Sequence, residues 1–397
     1  MATRNIVPRA DGEGGLGTQA KNWREIRAKN LYVNNEKANL YTITQMIQTN
    51  PVFYERSGLM EPSRTQFAMP EVTNVNIGGY GYSLPGDDYY LDDLTIWDDG
   101  QYATAANRAG KDFYIYLCQP TPASSDTKPN LILSHNSTVP TGYTADNSRK
   151  IGGFHCLCLS VGTISGHTLS DYETGDILPL SVWDLKHRPV SSPEGMVYIE
   201  GLGKWFDIYL ASWDGSKLVS GYGFATADGT SSKPFHGELF AEELGKVGKS
   251  LLWRDEFIVA AKGSNELMNI LGSADPNTTG GHVDTNSRRM ISNYGLEDCC
   301  GVLWQWARGC TEAMSTSWTN GYQYMNNYSW QTASVYHSGT DSQQYGSCYG
   351  LLRRVILGGN WSNSSNCGSR AANCHNFSAY CGSANIGARG ASELRAV

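Results

Sequence analysis

Ten cysteines, eight histidines and three aspartate doublets are the side chains of this 397-residue chain whose types could support chemistry. Cys367, Cys374 and Cys381 recur every seven residues, and Cys156 and Cys158 lie two apart. A redox thiol pair needs thiolates activated by basic neighbours or a metal, and a zinc site needs C-x2-C-type spacing. Neither pattern is present, and the cysteine density is too low for a disulfide scaffold in a chain of this length. The cysteines are therefore expected to be small buried hydrophobes. Asp87 and Asp88, Asp92 and Asp93, and Asp98 and Asp99 offer the oxygen-rich loops that calcium takes, but they fall at strand ends beside turns, where acids are solvated. His187, His236 and His282 are isolated in sequence, and Asp255 and Glu256 read as solvated helix residues rather than as two acids facing across a cleft. No catalytic residue, metal or cofactor is expected.

The stretch from Leu357 to Gly390, LGGNWSNSSNCGSRAANCHNFSAYCGSANIGARG, mixes two vocabularies. Gly358, Gly359, Trp361, Gly368, Arg370, Ile386, Gly387, Arg389 and Gly390 suit a tightly turned, packed backbone, because glycine supplies positive φ and close approach and tryptophan needs a pocket. Between them stand Asn and Ser, with an occasional His or Tyr. Changing only the adenines of an AAC codon gives Ser, Tyr, His, Gly, Cys, Asp, Thr or Ile and never a stop, which describes the interleaved residues. Composition alone would suit a disordered tail. Trp361 and the only charged side chains of the stretch, Arg370 and Arg389, each beside small residues, favour a fixed fold with a replaceable surface.

The elements that must position this stretch follow from the rest of the chain. Aromatics are abundant, charge is sparse and glycine frequent, which leans toward strands and turns. A formal net charge of −7 with no Lys/Arg block argues against nucleic acid or an anionic membrane as partner. The N-terminal MATRNIVPRADGEGGLG has no apolar h-region and no run approaches membrane-span length, so no membrane insertion and no secreted precursor are expected, with the thiols reduced when the protein folds. The expected fold class is mainly β in three parts. Residues 1–50 form a small β unit, with Ile26, Leu31, Tyr32 and Val33 in a short strand-like repeat. Residues 64–176 form a β-sandwich built from runs such as KDFYIYLCQ, PNLILSH and IGGFHCLCLSVG. From residue 180 to 397 the pattern becomes α+β. Leu239, Phe240 and Leu244 have helical spacing, and Trp253, Phe257, Ile258 and Ala261 share a face of a second helix that Gly263 ends. In GVLWQWARG, Val302, Trp304 and Trp306 alternate as in a half-buried strand, and a Tyr-rich insertion covers 316–345.

Strands, two helices, a Trp-bearing strand and a loop-rich end in GARG follow the order of the C-type lectin fold. GKVGKSLLWRDEFIVAAKG, GVLWQWARG and RRVILGGNWSNSSNCGSR...IGARG resemble its formylglycine-generating-enzyme-like branch, and within it the major tropism determinant-like variable proteins of diversity-generating retroelements. TGYTADNSRKIGGFH, SVWDLKHRP and EGMVYIEGLGKWFDIYL resemble the same family, so the likeness runs from about Thr141 to the C-terminus. The N-terminal RNIVPRADGEGGLGTQAKNWREIRAKNLYVNN is similar instead to a unit at the head of phage tail-fibre proteins. The resemblance implies a non-enzymatic receptor-binding protein on the virion, at the tail-fibre tip. It would be made in the host cytoplasm, homotrimeric, joined to other tail proteins through its N-terminus, and bound to a host-cell surface protein or glycan. Carried over residue by residue, the variable, receptor-binding positions are Asn360, Ser362, Asn363, Ser364, Asn366, Asn373, His375 and Asn376, with Tyr380, Ser383 and Asn385. The chain is one residue longer than the family between Asn376 and Gly387, which leaves Gly382 as an alternative there. Gly359, Trp361, Gly368, Arg370, Gly387 and Arg389 match scaffold positions, and His375 and Tyr380 are the expected hot spots. The insertion at 316–345 would pack between subunits or extend the face. Two alternatives remain. A formylglycine-generating-type oxidase would need reactive cysteines, and a lectin adhesin would have fixed specificity.

Overall fold

The computed structural model describes residues 31–33, 36–38, 55–56, 60–121, 128–312, 352–374 and 383–395. The chain divides into two units, Met1–Phe53 and Tyr54–Val397. In the first, β1 (Leu31–Val33) and β2 (Glu36–Ala38) form an antiparallel hairpin in which Leu31 faces Ala38.

The second unit begins with two small antiparallel sheets. One joins β3 (Glu55–Arg56), β6 (Val72–Ile77) and β7 (Tyr80–Leu84), and the other joins β4 (Glu61–Pro62), β5 (Gln66–Met69) and β8 (Asp87–Tyr90). A four-stranded sheet follows in the order β10 (Asn130–Ser134), β9 (Asp112–Cys118), β11 (Ser148–His155), β12 (Trp183–Asp184). Strand β9 shows why its sequence lacks polar alternation, since every residue from Phe113 to Cys118 is buried. Phe113, Ile115 and Leu117 share a core with Leu133 of the same sheet and with Phe67, Val75 and Tyr82 of the neighbouring sheets. Tyr114, Tyr116 and Cys118 point the other way, into a cluster with Trp183, Met196 and Trp205. A strand covered on both faces reads as a continuous apolar run. The layering places small sheets on one face of the larger one, and that sheet continues past Asp176 through β12.

Five of the six doublet acids are exposed, as solvated acids should be, and three of the six also tie down neighbouring chain. Asp93 and Asp99 cap the short 3-10 turns Leu94–Ile96 and Gly100–Ala103 through their side chains. The Asp98 carboxylate accepts from Ser134 Oγ at 2.6 Å and from the Thr141 N–H at 2.7 Å. Among the described residues no cluster of His, Cys, Asp or Glu could hold a metal ion, and no helix is long and apolar enough to cross a membrane.

Beyond β12, β13 (Met196–Ile199) and β14 (Lys204–Asp207) pair antiparallel, and β15 (Ala211–Trp213) pairs with β16 (Leu218–Ser220). Helix α1 spans Gly237–Lys246, β17 spans Ser250–Leu251 and helix α2 spans Arg254–Ala260. Leu239, Phe240 and Leu244 bury against Phe235, Trp306 and Ile356, as the helical spacing requires. In α2, Phe257 and Ala260 are buried, but Trp253 is not on that face. It occupies the N-cap, 47% exposed, with the Arg308 guanidinium 5.4 Å from its ring centroid. Asp255 is exposed as expected, whereas Glu256 is engaged on two sides. It accepts from the Trp253 N–H at 2.9 Å and pairs with Lys204 at 2.9 Å.

The last sheet runs β20 (Ala372–Asn373), β19 (Leu352–Leu357), β18 (Trp304–Glu312), β21 (Ile386–Gly387), with β21 parallel to β18. In β18 the alternation is only partial, because Gln305 is buried along with Trp306 and Trp304 is half-buried. Strand β22 (Gly390–Glu393) inserts between β14 and β17. The stretch after β19 is thus tied at one end to β18 and β20 and at the other to β14, which fixes both of its ends in the core.

Candidate binding face

The stretch leaves β19 through Gly358 and Gly359, at φ +92° and +86°. A Cβ on Gly359 would lie 2.8 Å from Cys367 Sγ and 2.9 Å from Cys367 Cα, and one on Gly358 would lie 2.5 Å from the Cys299 carbonyl oxygen. Only glycine fits this pair. Backbone bonds then hold the loop. The Trp361 N–H donates to Val302 O at 2.9 Å, Gly301 N–H to Gly359 O at 3.1 Å, and Gly368 N–H to Gly358 O at 3.0 Å. The half-buried Trp361 packs against the cluster of Leu210, Ile270, Met290, Val302 and Leu303.

Within the loop the predicted contact residues separate into two kinds. Asn360 is 1% exposed and therefore not available as an outward contact. Its Oδ1 accepts from the Ser362 N–H and Oγ, each at 3.1 Å, while its own N–H donates to Asn363 Oδ1 at 2.9 Å. Asparagine side chains bonded this way build the turn itself. Ser362, Ser364 and Asn366 are exposed, and so is Ser365 between them, which the sequence reading did not select. Asn373 is half-buried in β20, opposite Ile356. Ser383 and Asn385 are half-buried and hydrogen-bonded to each other through their side chains. His375, Asn376 and Tyr380 lie outside the described residues, as do Gly382, Cys381 and the 316–345 insertion.

Of the scaffold positions, Gly387 packs so closely on Leu303 that a Cβ would lie 3.0 Å from its Cδ1, and a Cβ on Gly368 would collide with the Glu266 carboxylate. Arg389 is 1% exposed. Its guanidinium donates to Asp207 O at 2.8 Å, Ile208 O at 2.6 Å, Gln305 Oε1 at 3.2 Å and Glu297 O. Arg370, in contrast, is exposed.

The loop also rests on a segment that sequence reading missed. The Glu266 carboxylate accepts from the Ser369 N–H at 3.1 Å, Leu267 N–H donates to Cys367 O at 2.9 Å, and Asn269 Nδ2 donates to Trp361 O. Partners about a hundred residues apart leave no local sequence signal.

Among the described residues every free thiol but one is buried. Burial pushes the Cys118 thiol up to about 12 and the Cys299 and Cys367 thiols up to about 11. Burial likewise raises Cys158, which sits beside Glu297. Thiols in this state are poor nucleophiles near neutral pH. Cys374 is exposed. His155 lies 2.9 Å from Asp112 Oδ1 through Nδ1 and 2.9 Å from Tyr209 OH through Nε2. His155 and Tyr209 are at most 1% exposed, so this chain is an internal tie rather than a substrate site. His236 caps α1, and His187 packs edge-on against Tyr198. His282 pairs with the buried Asp298 at 3.0 Å.

The fold and the loop together define a β-rich protein that displays small polar side chains from a backbone clamped by its core. The family profile described as "Mtd second domain" matches residues 63–184. The chain is 31% identical over 287 residues to the "Tail fiber receptor-binding protein" of Bordetella phage BPP-1, a match covering 66% of each protein. It is also similar to the solved structures of the "Major Tropism Determinant U1 Variant", with a TM-score of 0.62 and 26% identity over 91% of this chain and 89% of that one. For the "Major Tropism Determinant P3c Variant" the TM-score is 0.63, at 26% identity over 88% of this chain and 86% of that one. The chain belongs to the major tropism determinant family.

Proposed function

We propose that this chain is a phage tail-fibre receptor-binding protein, a tropism determinant carried on the virion, that binds a host-cell surface receptor without catalysing a reaction. The observation that carries this reading is the loop after Gly359, where exposed Ser362, Ser364, Ser365 and Asn366 ride on a backbone held by its own N–H to C=O hydrogen bonds and by Glu266. Side chains on a fixed backbone lose less freedom on binding than mobile loops do, so exchanging them alters specificity without altering the fold. In this reading residues 180–397 form a C-type lectin fold, and the contact surface continues through Asn373, His375, Asn376, Tyr380, Ser383 and Asn385. Asn360 and Asn363 support the loop from beneath. The assembly is a homotrimer attached to other tail proteins through its N-terminus, and display in several copies strengthens individually weak contacts.

The test is deep sequencing of the 3′ end of the gene in a population descended from one parent. Substitutions confined to adenine-templated codons at positions such as Ser362, Asn373 and Tyr380, with Gly359, Trp361 and Arg389 unchanged, are the expected result. A uniform sequence, or changes scattered without regard to codon, would leave an adhesin of fixed specificity as the better account. Light scattering of the purified chain reads the trimer directly.

A further inference from the structure

Leu267 combines features that side chains with only a packing role do not share. It is 61% exposed, and its backbone sits at φ +58°, a left-handed conformation that disfavours residues with a bulky side chain. Nothing about the solvent-facing position calls for leucine, and glycine or asparagine would fit the backbone better. Yet the residue is locked in register with the binding loop. Its N–H donates to Cys367 O at 2.9 Å, and the neighbouring Glu266 carboxylate holds the Ser369 N–H at 3.1 Å. Two residues on, Asn269 reaches Trp361 O, and Leu271, 56% exposed, follows. The segment from Glu266 to Leu271 therefore grips the exposed loop at both ends and carries two exposed apolar side chains, Leu267 and Leu271.

We infer that Leu267, with Leu271, is a constant contact of the binding face, burying aliphatic surface against an apolar area of a protein receptor whatever residues occupy the exchangeable positions. The inference rests on the receptor-binding reading above. Aliphatic leucine offers a sugar neither a hydrogen bond nor an aromatic face, whereas protein surfaces carry apolar area that it can cover. The exchangeable small polar side chains then select among receptors, and the leucines supply affinity common to all of them.

The test uses the full chain displayed on yeast, with Ser362, Ser364, Ser365 and Asn366 randomised and hen egg-white lysozyme as the protein probe. Binders should be recovered, and restoring the four parental residues in a binder should abolish its affinity. In the same binder, Leu267→Gly should raise Kd by about ten- to a hundredfold, as expected for losing a buried leucine, while thermal stability holds or rises because glycine relieves the left-handed backbone. Leu267→Asn, which keeps that backbone and removes the apolar surface, should lose affinity equally. Binders that depend on the four exchanged residues but keep Kd within about twofold in both Leu267 variants would overturn the inference and leave the receptor-binding reading standing. Failure to recover any binder that depends on the exchanged residues would remove the reading and the inference with it. A change in oligomeric mass on Leu267→Gly would make Leu267 a contact between copies of the chain and would also overturn the inference.

Discussion

Arg389→Met isolates what a single scaffold residue contributes, because methionine keeps much of the length and apolar bulk of the arginine stem while removing its donors. In the native chain the guanidinium serves the carbonyls of Asp207, Ile208 and Glu297 and the side chain of Gln305, all in a region where Arg389 is 1% and Gln305 2% exposed. Each buried acceptor left without a donor costs about 1–3 kcal/mol. Asp207 keeps its strand pairing with Met196, so the lower end of that range applies, and the four acceptors together lose roughly 4 kcal/mol. Methionine no longer buries a charge, which returns part of this and leaves a net loss of about 3 kcal/mol. For the unit Tyr54–Val397, at about 2 cal/mol/K of unfolding entropy per residue, that corresponds to a fall in Tm of roughly 4 °C, read by near-UV circular dichroism of the full chain. Arg389→Lys should recover only part of the loss, since a single ammonium cannot span carbonyls from separate strands. Hydrogen exchange should accelerate first in β14 and β18, the strands whose Asp207 and Gln305 the guanidinium bonds. A Tm within about 2 °C of the parent for Arg389→Met would refute the reasoning, because it would mean that water or neighbouring donors already serve these acceptors.

Gly359→Ala should destabilise the chain by about 2–3 kcal/mol in thermal unfolding through strain at φ +86°, and Cys367→Ala should not rescue it, because the contact with the Cys367 Cα remains. Asn360→Ala should lower stability by about 1–2 kcal/mol, whereas Ser365→Ala should change it by less than about 0.5 kcal/mol, both read from urea midpoints. Burial lowers the pKa of His282, but the Asp298 carboxylate raises it by more, so the folded value lies above the unfolded value of about 6.5. The stability from this pair is fully present below the unfolded pKa and is lost as pH rises through the folded one, so the Tm deficit of His282→Asn should be larger at acid pH than in alkali. Iodoacetamide with peptide mapping should label Cys374 in the native chain well before Cys118, Cys299 or Cys367, whose thiols burial holds neutral.

Legibility in the sequence followed how local the physics was. The helix at Leu239, Phe240 and Leu244 announces itself through spacing, Gly359 as half of a Gly-Gly turn, and Arg389 as one of two charged side chains in a run of Gly, Asn and Ser. The spacing places Trp253 on the buried face, but an N-cap residue lies outside the helical repeat and its side chain turns to solvent. Glu256 reads as a solvated acid because neither its cap to Trp253 nor its partner Lys204 alters the local pattern. Asn360 was the hardest case, since asparagine serves equally as a solvent-facing residue and as a turn-building one, and only burial separates the two. The Glu266 grip on Ser369 and the Asp112–His155–Tyr209 tie join residues distant in the chain, where a single sequence carries no pairing information.

The division of labour inside the loop explains how a protein can vary a surface without endangering its fold. Between Gly358 and Ala371 the main chain bonds largely to itself, from Asn363 N–H to Asn360 O, Asn366 N–H to Asn363 O, Cys367 N–H to Ser364 O and Gly358 N–H to Ala371 O. Peptide groups are the same whatever side chain they carry, so this network survives substitution. The side chains that do bond are those of Asn360, Ser362, Asn363, Cys367 and Ser369 within the loop and of Glu266 beside it. Ser364, Ser365 and Asn366 contribute none of these bonds among the described residues, and their replacement removes solvated surface only. One qualification is written into the backbone. Ser364 sits at φ +49°, so small or turn-forming residues such as Asn, Asp and Gly should be tolerated there more readily than β-branched Thr or Ile. A population of functional variants should therefore be depleted of Thr and Ile at position 364 relative to 365 and 366, although the same adenine substitutions can supply them at each position. Equal frequencies at all three would show that the loop relaxes to accept any side chain, and rigidity could then not be the basis of its tolerance.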